Sequence, residues 1–166
     1  MKLRLARGIV AAVLLAITMA PIASADGLTA TLDGKRIRMQ RVASLQCHDF
    51  DYPIIRCFST PDLIAADIAA RFDANQSTGA RLLLTGWVTV YENADYGTPS
   101  ISMANDYPSL SALGWNDRIS SFKSFGATGN FWEHSPSGGF DYTFASTTQA
   151  SSLGSNNDKF SAFNIN

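Results

Sequence analysis

The stretch LTATLDGKRIRM, residues 28–39, alternates apolar and polar side chains on both sides of Asp33-Gly34. That pattern predicts a β-hairpin closed by a two-residue turn. Further apolar segments enter and leave LQCHDFDYPIIRCFS, where Tyr52-Pro53 supplies a turn between two strands. The period changes at TPDLIAADIAARF. Thr60 is placed as an N-cap, Pro61 suits the first helical position, and Asp62 complements the helix N-terminus. Leu63, Ile64, Ile68 and Phe72 follow at helical spacing, so a short amphipathic helix with a core-facing stripe is expected. DANQSTGA, residues 73–80, is small and polar and reads as a linker. From Leu82 onward, WVTVYE, ISM, ISSFKSF, FWE, FDYTF and FSAFNI are short strand-like segments separated by Gly, Ser, Pro and Asn. This is the texture of an all-β sandwich or barrel.

The first residues change the picture of where the chain works. Lys2, Arg4 and Arg7 precede an apolar run from Ile9 to Met19, and Ala23-Ser24-Ala25 forms a small-residue cleavage site. The expectation is a secretory signal peptide over residues 1–25 and an exported mature chain beginning near Asp26. A membrane anchor is disfavoured because Pro21 interrupts the run before the ~20 apolar residues a span requires. The formal net charge is −1, which points to no nucleic-acid surface, and no polybasic run points to a membrane. A soluble monomer is expected.

Cys47 and Cys57 are the only cysteines. In an oxidising compartment they most simply form one disulfide, and a ring of this size restricts the unfolded chain by roughly 3 kcal/mol. The alternative is a metal site built from Cys47, His48, Asp49 and Asp51. Residues 26–80 therefore form a small disulfide-containing α+β segment. Its strands either pair with the β region of residues 81–166 or make a separate lobe.

The β region repeats itself. A shift of 41 residues carries Tyr91-Glu92 onto Trp132-Glu133, Asn116-Asp117 onto Asn157-Asp158, Ser120 onto Ser161 and Phe122 onto Phe163. NDRISSF thus has a partner, NDKFSAF. These two units, about 86–126 and 127–166, resemble the Greek keys of the βγ-crystallin superfamily. In that family an aromatic-rich hairpin opens each unit and a motif [ND][ND]xx[ST]S closes it. NDRISS fits every place; NDKFSA has Ala162 in the last. The opening hairpins depart further. Tyr91, Tyr96 and Gly97 are one residue short of the family spacing, and Ser137 stands in an aromatic place between Trp132 and Gly139. The resemblance implies a mainly β, Greek-key sandwich in the C-terminal half.

It also implies calcium. The family's sites are shared between units, with a carbonyl from each opening hairpin completing the other unit's loop. One site would take Asn116, Asp117, the Arg118 carbonyl and Ser120 with Glu133, the other Asn157, Asp158, the Lys159 carbonyl and Ser161 with Glu92. Calcium takes six to eight oxygens at about 2.3–2.6 Å, and such loops supply carboxylate, hydroxyl and carbonyl oxygens together. The same residues also close turns without any ion. Because Ser121 can brace its loop and Ala162 cannot, the NDRISS site is expected to be the tighter, with Asp117 as its carboxylate.

No hydrolase, P-loop or dinucleotide signature occurs. The histidines are His48 and His134. Consecutive strand residues point to opposite faces, so His48 and Asp49 would not share a pocket. The functional expectation is a secreted, non-enzymatic calcium-binding module. The alternative is an inhibitor of an extracellular peptidase, since small bacterial metalloproteinase inhibitors share this fold.

Overall fold

The computed structural model describes residues 27–78 and 86–166. The signal-peptide reading, with its cleavage near Ala25, falls outside the described residues.

The chain opens with an antiparallel hairpin of β1 (Thr29–Leu32) and β2 (Lys35–Ile37). Its turn holds Asp33 at φ 48 and Gly34 at φ 80, the two positive angles that a tight hairpin needs. A 3-10 turn (Met39–Ser44) leads to β3 (Gln46–Asp51) and β4 (Ile54–Phe58), which run antiparallel with Cys47 directly opposite Cys57. The two are joined as a disulfide, which removes both sulfurs from any metal site.

Helix α1 (Pro61–Thr78) begins as the sequence predicts, with Thr60 Oγ1 accepting the Leu63 N–H at 3.3 Å. Two expectations need correction. The helix continues through Thr78, so residues 73–78 are helical rather than a linker; neither glycine nor proline occurs between Asp62 and Thr78 to stop it. The inward face is also different. Leu63 is 45 % exposed, and Ile64, Asp67, Ile68 and Arg71 turn toward the sheet. Arg71 donates to both oxygens of Asp51 at 2.7 and 2.8 Å and through Nε to Asp67 at 2.6 Å. His48 Nε2 meets the same Asp67 oxygen at 2.8 Å. Ile64 and Ile68 face inward as expected and Leu63 does not, the Phe72 side chain lies outside the described residues, and paired charges share in seating this helix.

The β region holds β5 (Trp87–Asn93), β6 (Gly97–Met103), β7 (Ser121–Phe125), β8 (Gly129–His134), β9 (Gly138–Phe144), β10 (Gln149–Ala150) and β11 (Ala162–Ile165). Two sheets result, ordered β10-β7-β5-β6-β3-β4-β1-β2 and β11-β8-β9. Each unit lends its third segment to the other's sheet: β10 pairs with β7, and Tyr107 bridges Phe163. That exchange is the Greek-key crossover. The open question about the N-terminal segment is answered by β3, which runs parallel to β6 and extends the first sheet to eight strands.

The core lies between the sheets. Phe122 meets Phe131 and Tyr142 edge-on, and Phe131 stacks on Phe160. Ile119 and Phe160, equivalent under the repeat, are both fully buried. Asp49 points the other way from His48 and binds the connection after β6. Its carboxylate accepts the N–H groups of Ala104 and Asn105 and the Tyr107 hydroxyl at 2.7, 3.2 and 2.9 Å. That places the 104–107 segment, and with it the crossover.

Candidate metal centre

The two closing loops face each other as near copies. Asp117 and Asp158 both take φ 53, a left-handed conformation that aspartate tolerates better than most residues. The loops brace each other through the backbone. Asp117 N–H donates to the Phe160 carbonyl at 2.9 Å, and Asp158 N–H to the Ile119 carbonyl at 3.1 Å. Each loop is also tied to the opening hairpin of its own unit: Ser120 N–H donates to the Tyr91 carbonyl at 3.0 Å and Ser161 N–H to that of Trp132 at 2.8 Å. Four backbone bonds thus hold both aspartates before any side chain is considered.

The carboxylates are then oriented oxygen by oxygen. Asn116 Nδ2 donates to Asp117 Oδ2 at 2.6 Å, and Asn157 Nδ2 to Asp158 Oδ2 at 2.7 Å. The asparagines therefore act as braces for the next residue. The remaining oxygens face across the pseudo-twofold axis. Ser120 Oγ lies 3.3 Å from Asp158 Oδ1, and Ser161 Oγ lies 3.3 Å from Asp117 Oδ1. The structure thus groups Ser120 with Asp158 and Ser161 with Asp117, opposite to the grouping expected within each motif. The reason is the crossing of the loops, which sequence spacing does not encode.

Glu92 and Glu133 occupy equivalent places. Each falls where its hairpin slips register, between Tyr91 and Asn93 and between Trp132 and His134, so neither faces a residue of the partner strand. A cleft of about 580 Å³ opens beside Glu92, Asp117, Arg118, Ser120, Asn157 and Asp158, with Asn93, Ser152 and Gly154 also on its walls. Asn93, Ser152 and Gly154 were not legible as site residues; the last two belong to the irregular connection before NDKFSA.

The side chains of Glu92 and Glu133 do different things. Glu92 Oε1 is paired with Arg118 at 2.6 and 3.1 Å, and the same guanidinium donates to the carbonyls of Gly114 and Ala43. Glu133 Oε2 accepts the Phe140 N–H at 3.2 Å. Arg118 is thereby fixed, while Lys159 at the matching place is exposed. The loops differ again one residue on. Ser121 Oγ donates to the Asn93 carbonyl at 2.6 Å and accepts the Tyr96 N–H at 3.2 Å, clamping the hairpin that carries Glu92. Ala162 has no hydroxyl for such a clamp.

The donors are all oxygen, which suits a hard cation such as calcium and not a thiolate or imidazole metal. Among the described residues no three His, Cys, Asp or Glu side chains converge. A site here would rest on one carboxylate with hydroxyl and carbonyl oxygens. The histidines offer no competing chemistry at this place. His48 is fully buried against Asp67 and Phe50, and burial holds its pKa below the ordinary value despite the Asp67 hydrogen bond.

No family profile and no curated protein matches the chain. Solved structures do. A betagamma-crystallin from an archaeon is 28 % identical, over 49 % of this chain and 98 % of that one, with a TM-score of 0.44. A clostrillin double mutant in complex with nickel is 29 % identical, over 48 % of this chain and 95 % of that one, with a TM-score of 0.41. A betagamma-crystallin domain from Clostridium beijerinckii is 32 % identical, over 48 % of this chain and 95 % of that one, with a TM-score of 0.41. At 32 % identity over 95 % of the Clostridium beijerinckii domain, the chain belongs to the βγ-crystallin superfamily.

Proposed function

We propose that this protein is an exported, non-enzymatic calcium-binding module. The two crossed loops each hold one ion, and the ions stabilise the Greek-key pair. The observation that carries the reading is the pair of matched serine–aspartate spacings. An O–H···O hydrogen bond normally closes to 2.5–3.0 Å. Both contacts stand at 3.3 Å. Two oxygens bound at right angles to one calcium, at about 2.3–2.6 Å each, are separated by about 3.3–3.7 Å. The two spacings suit a shared cation better than they suit a hydrogen bond.

One ion would be held by Ser120, Asp158, the Glu92 hairpin and the Lys159 carbonyl. The other would be held by Ser161, Asp117, the Glu133 hairpin and the Arg118 carbonyl. Asn116 and Asn157 orient the carboxylates. With so few charges per site, affinity belongs in the ~10⁻⁵–10⁻³ M class of extracellular modules. Titration of chelator-treated protein with calcium, followed by calorimetry, tests this. The expected result is two binding events and a melting temperature that rises with calcium. No heat and no shift at 10 mM calcium would reject the reading.

A further inference from the structure

We propose that the free edge of the eight-stranded sheet, residues 35–41, binds a polyanionic polysaccharide. This stretch reads KRIRMQR and holds Lys35, Arg36, Arg38 and Arg41. The near-neutral total charge hides how uneven the distribution is. Residues 27–166 contain ten Lys and Arg against thirteen Asp and Glu, so the remainder of that span holds six against thirteen. The cations are gathered at one edge of an otherwise acidic molecule.

The support beneath them is firm. β2 is the outermost strand of its sheet, paired to β1 on one side only. Ile37 and Met39 pack against the core, and Val42 is fully buried, while all four cations are exposed. A backbone bond from Arg41 N–H to the Arg38 carbonyl turns the chain, so the charges follow a bend instead of a free tail. Along the strand Arg36 and Arg38 share a face about 6.6 Å apart.

None of the four is neutralised among the described residues. Arg56, Arg71 and Arg118 are all taken up in ion pairs, whereas Lys35, Arg36, Arg38 and Arg41 enter none. Asp33, the acid nearest in sequence, uses Oδ1 to accept the Ser59 N–H. Clustered, unpaired cations create a local positive potential that concentrates polyanions.

The chemistry of the patch selects among polyanions. It has no aromatic side chain on which a base could stack, as single-stranded nucleic acid binding uses. Its apolar residues are turned inward, leaving none to insert into a bilayer. β2 is three residues long, too short a ladder for an added peptide strand to depend on. A sulfated or carboxylated glycan needs only spaced cations on a rigid edge.

The test is binding of the full exported chain to heparin between 50 and 200 mM NaCl, beside a variant with Lys35, Arg36, Arg38 and Arg41 all changed to Ser. Four contacts that release counterions as on DNA give a loss of about 50- to 150-fold over that range. The quadruple variant should lose both the binding and the salt slope while keeping its circular dichroism and its disulfide. Lys123→Ser, at a cation on β7 that lies over the Tyr96 ring and away from this edge, should bind as the parent does. No heparin binding by the parent, or equal binding by the quadruple variant, would overturn the proposal. So would tighter binding through these residues to an oligonucleotide or to phosphatidylserine vesicles. Calcium enters none of these measurements, so the outcome is independent of the metal reading.

Discussion

Ser120→Ala is the sharpest probe of how the two loops would share the proposed calcium ions. The substitution removes one neutral oxygen ligand, and water can take its place, so the loss is that of one modest polar contact, about 1 kcal/mol or fivefold in affinity. Without calcium it should cost little. Ser120 is buried, but its Oγ contact to Asp158 Oδ1 is long at 3.3 Å and ends on an exposed carboxylate that water can reach. A loss of no more than about 1 kcal/mol in chelator is expected. Asp158→Ala removes the only side-chain charge from the same ion, and the loss should be at least the ~2 kcal/mol of a charged contact, thirtyfold or more. The two are tested as a double-mutant cycle read by calcium titration. Once Asp158 is gone, Ser120→Ala should have no further effect, a coupling near 1 kcal/mol. Paired with Asp117→Ala, which empties the other site, Ser120→Ala should keep its full effect on the ion that remains. Additivity with Asp158 and coupling with Asp117 would refute the crossed assignment and restore the grouping within one motif.

Ser121→Ala should lower stability in chelator by about 2 kcal/mol, because it leaves the Asn93 carbonyl and Tyr96 N–H without their buried partner; an unchanged denaturation midpoint would contradict this. Since that clamp holds the Glu92 hairpin, Asp158→Ala rather than Asp117→Ala should abolish the tighter calcium phase, the reverse of what the motifs alone suggest. Arg71→Met should weaken the seat of α1, at a cost of about 2 kcal/mol once the partial exposure of Asp51 is discounted, and hydrogen exchange should speed up over residues 61–71. Acid should act through His48. Burial keeps it neutral in the fold, so its contribution is complete above the ordinary value of 6.5 and is lost as pH falls below it. Asp49 has the opposite sign: burial pushes its carboxyl up to about 6, so it favours the fold more as pH falls from about 6 toward 4. The stability difference between the parent and His48→Gln should therefore shrink from pH 7 to pH 5, and a constant difference would contradict the assignment.

Local signals reached the fold where one short stretch decides the outcome. Asp33-Gly34 dictates its own turn, Thr60 and Pro61 start a helix, and the 41-residue repeat places two equivalent loops. What escaped depends on partners far along the chain. Leu63 fits the helical stripe as well as Ile64 does. The inward face is set instead by Asp67 and Arg71, whose partners Asp51, Arg56 and His48 lie on two strands. The same limit applies at the site. NDRISS and NDKFSA name the oxygen-bearing residues, but loop crossing decides that Ser120 meets Asp158. Ser121 could be suspected as a brace from its place in the motif. That it braces the Glu92 hairpin needs three dimensions. The joining of β3 to β6 is a parallel pairing across a long chain separation, and no period in either strand announces it.

The most direct test of the central claim is a calcium titration of the chelator-treated protein in a calorimeter, carried to millimolar ion and repeated with Asp117→Ala/Asp158→Ala. Two saturable events in the parent, in the ~10⁻⁵–10⁻³ M range, and none in the double variant are predicted. A parent that takes up no calcium, or a double variant that binds as the parent does, would show that the crossed loops close the Greek keys and hold no ion.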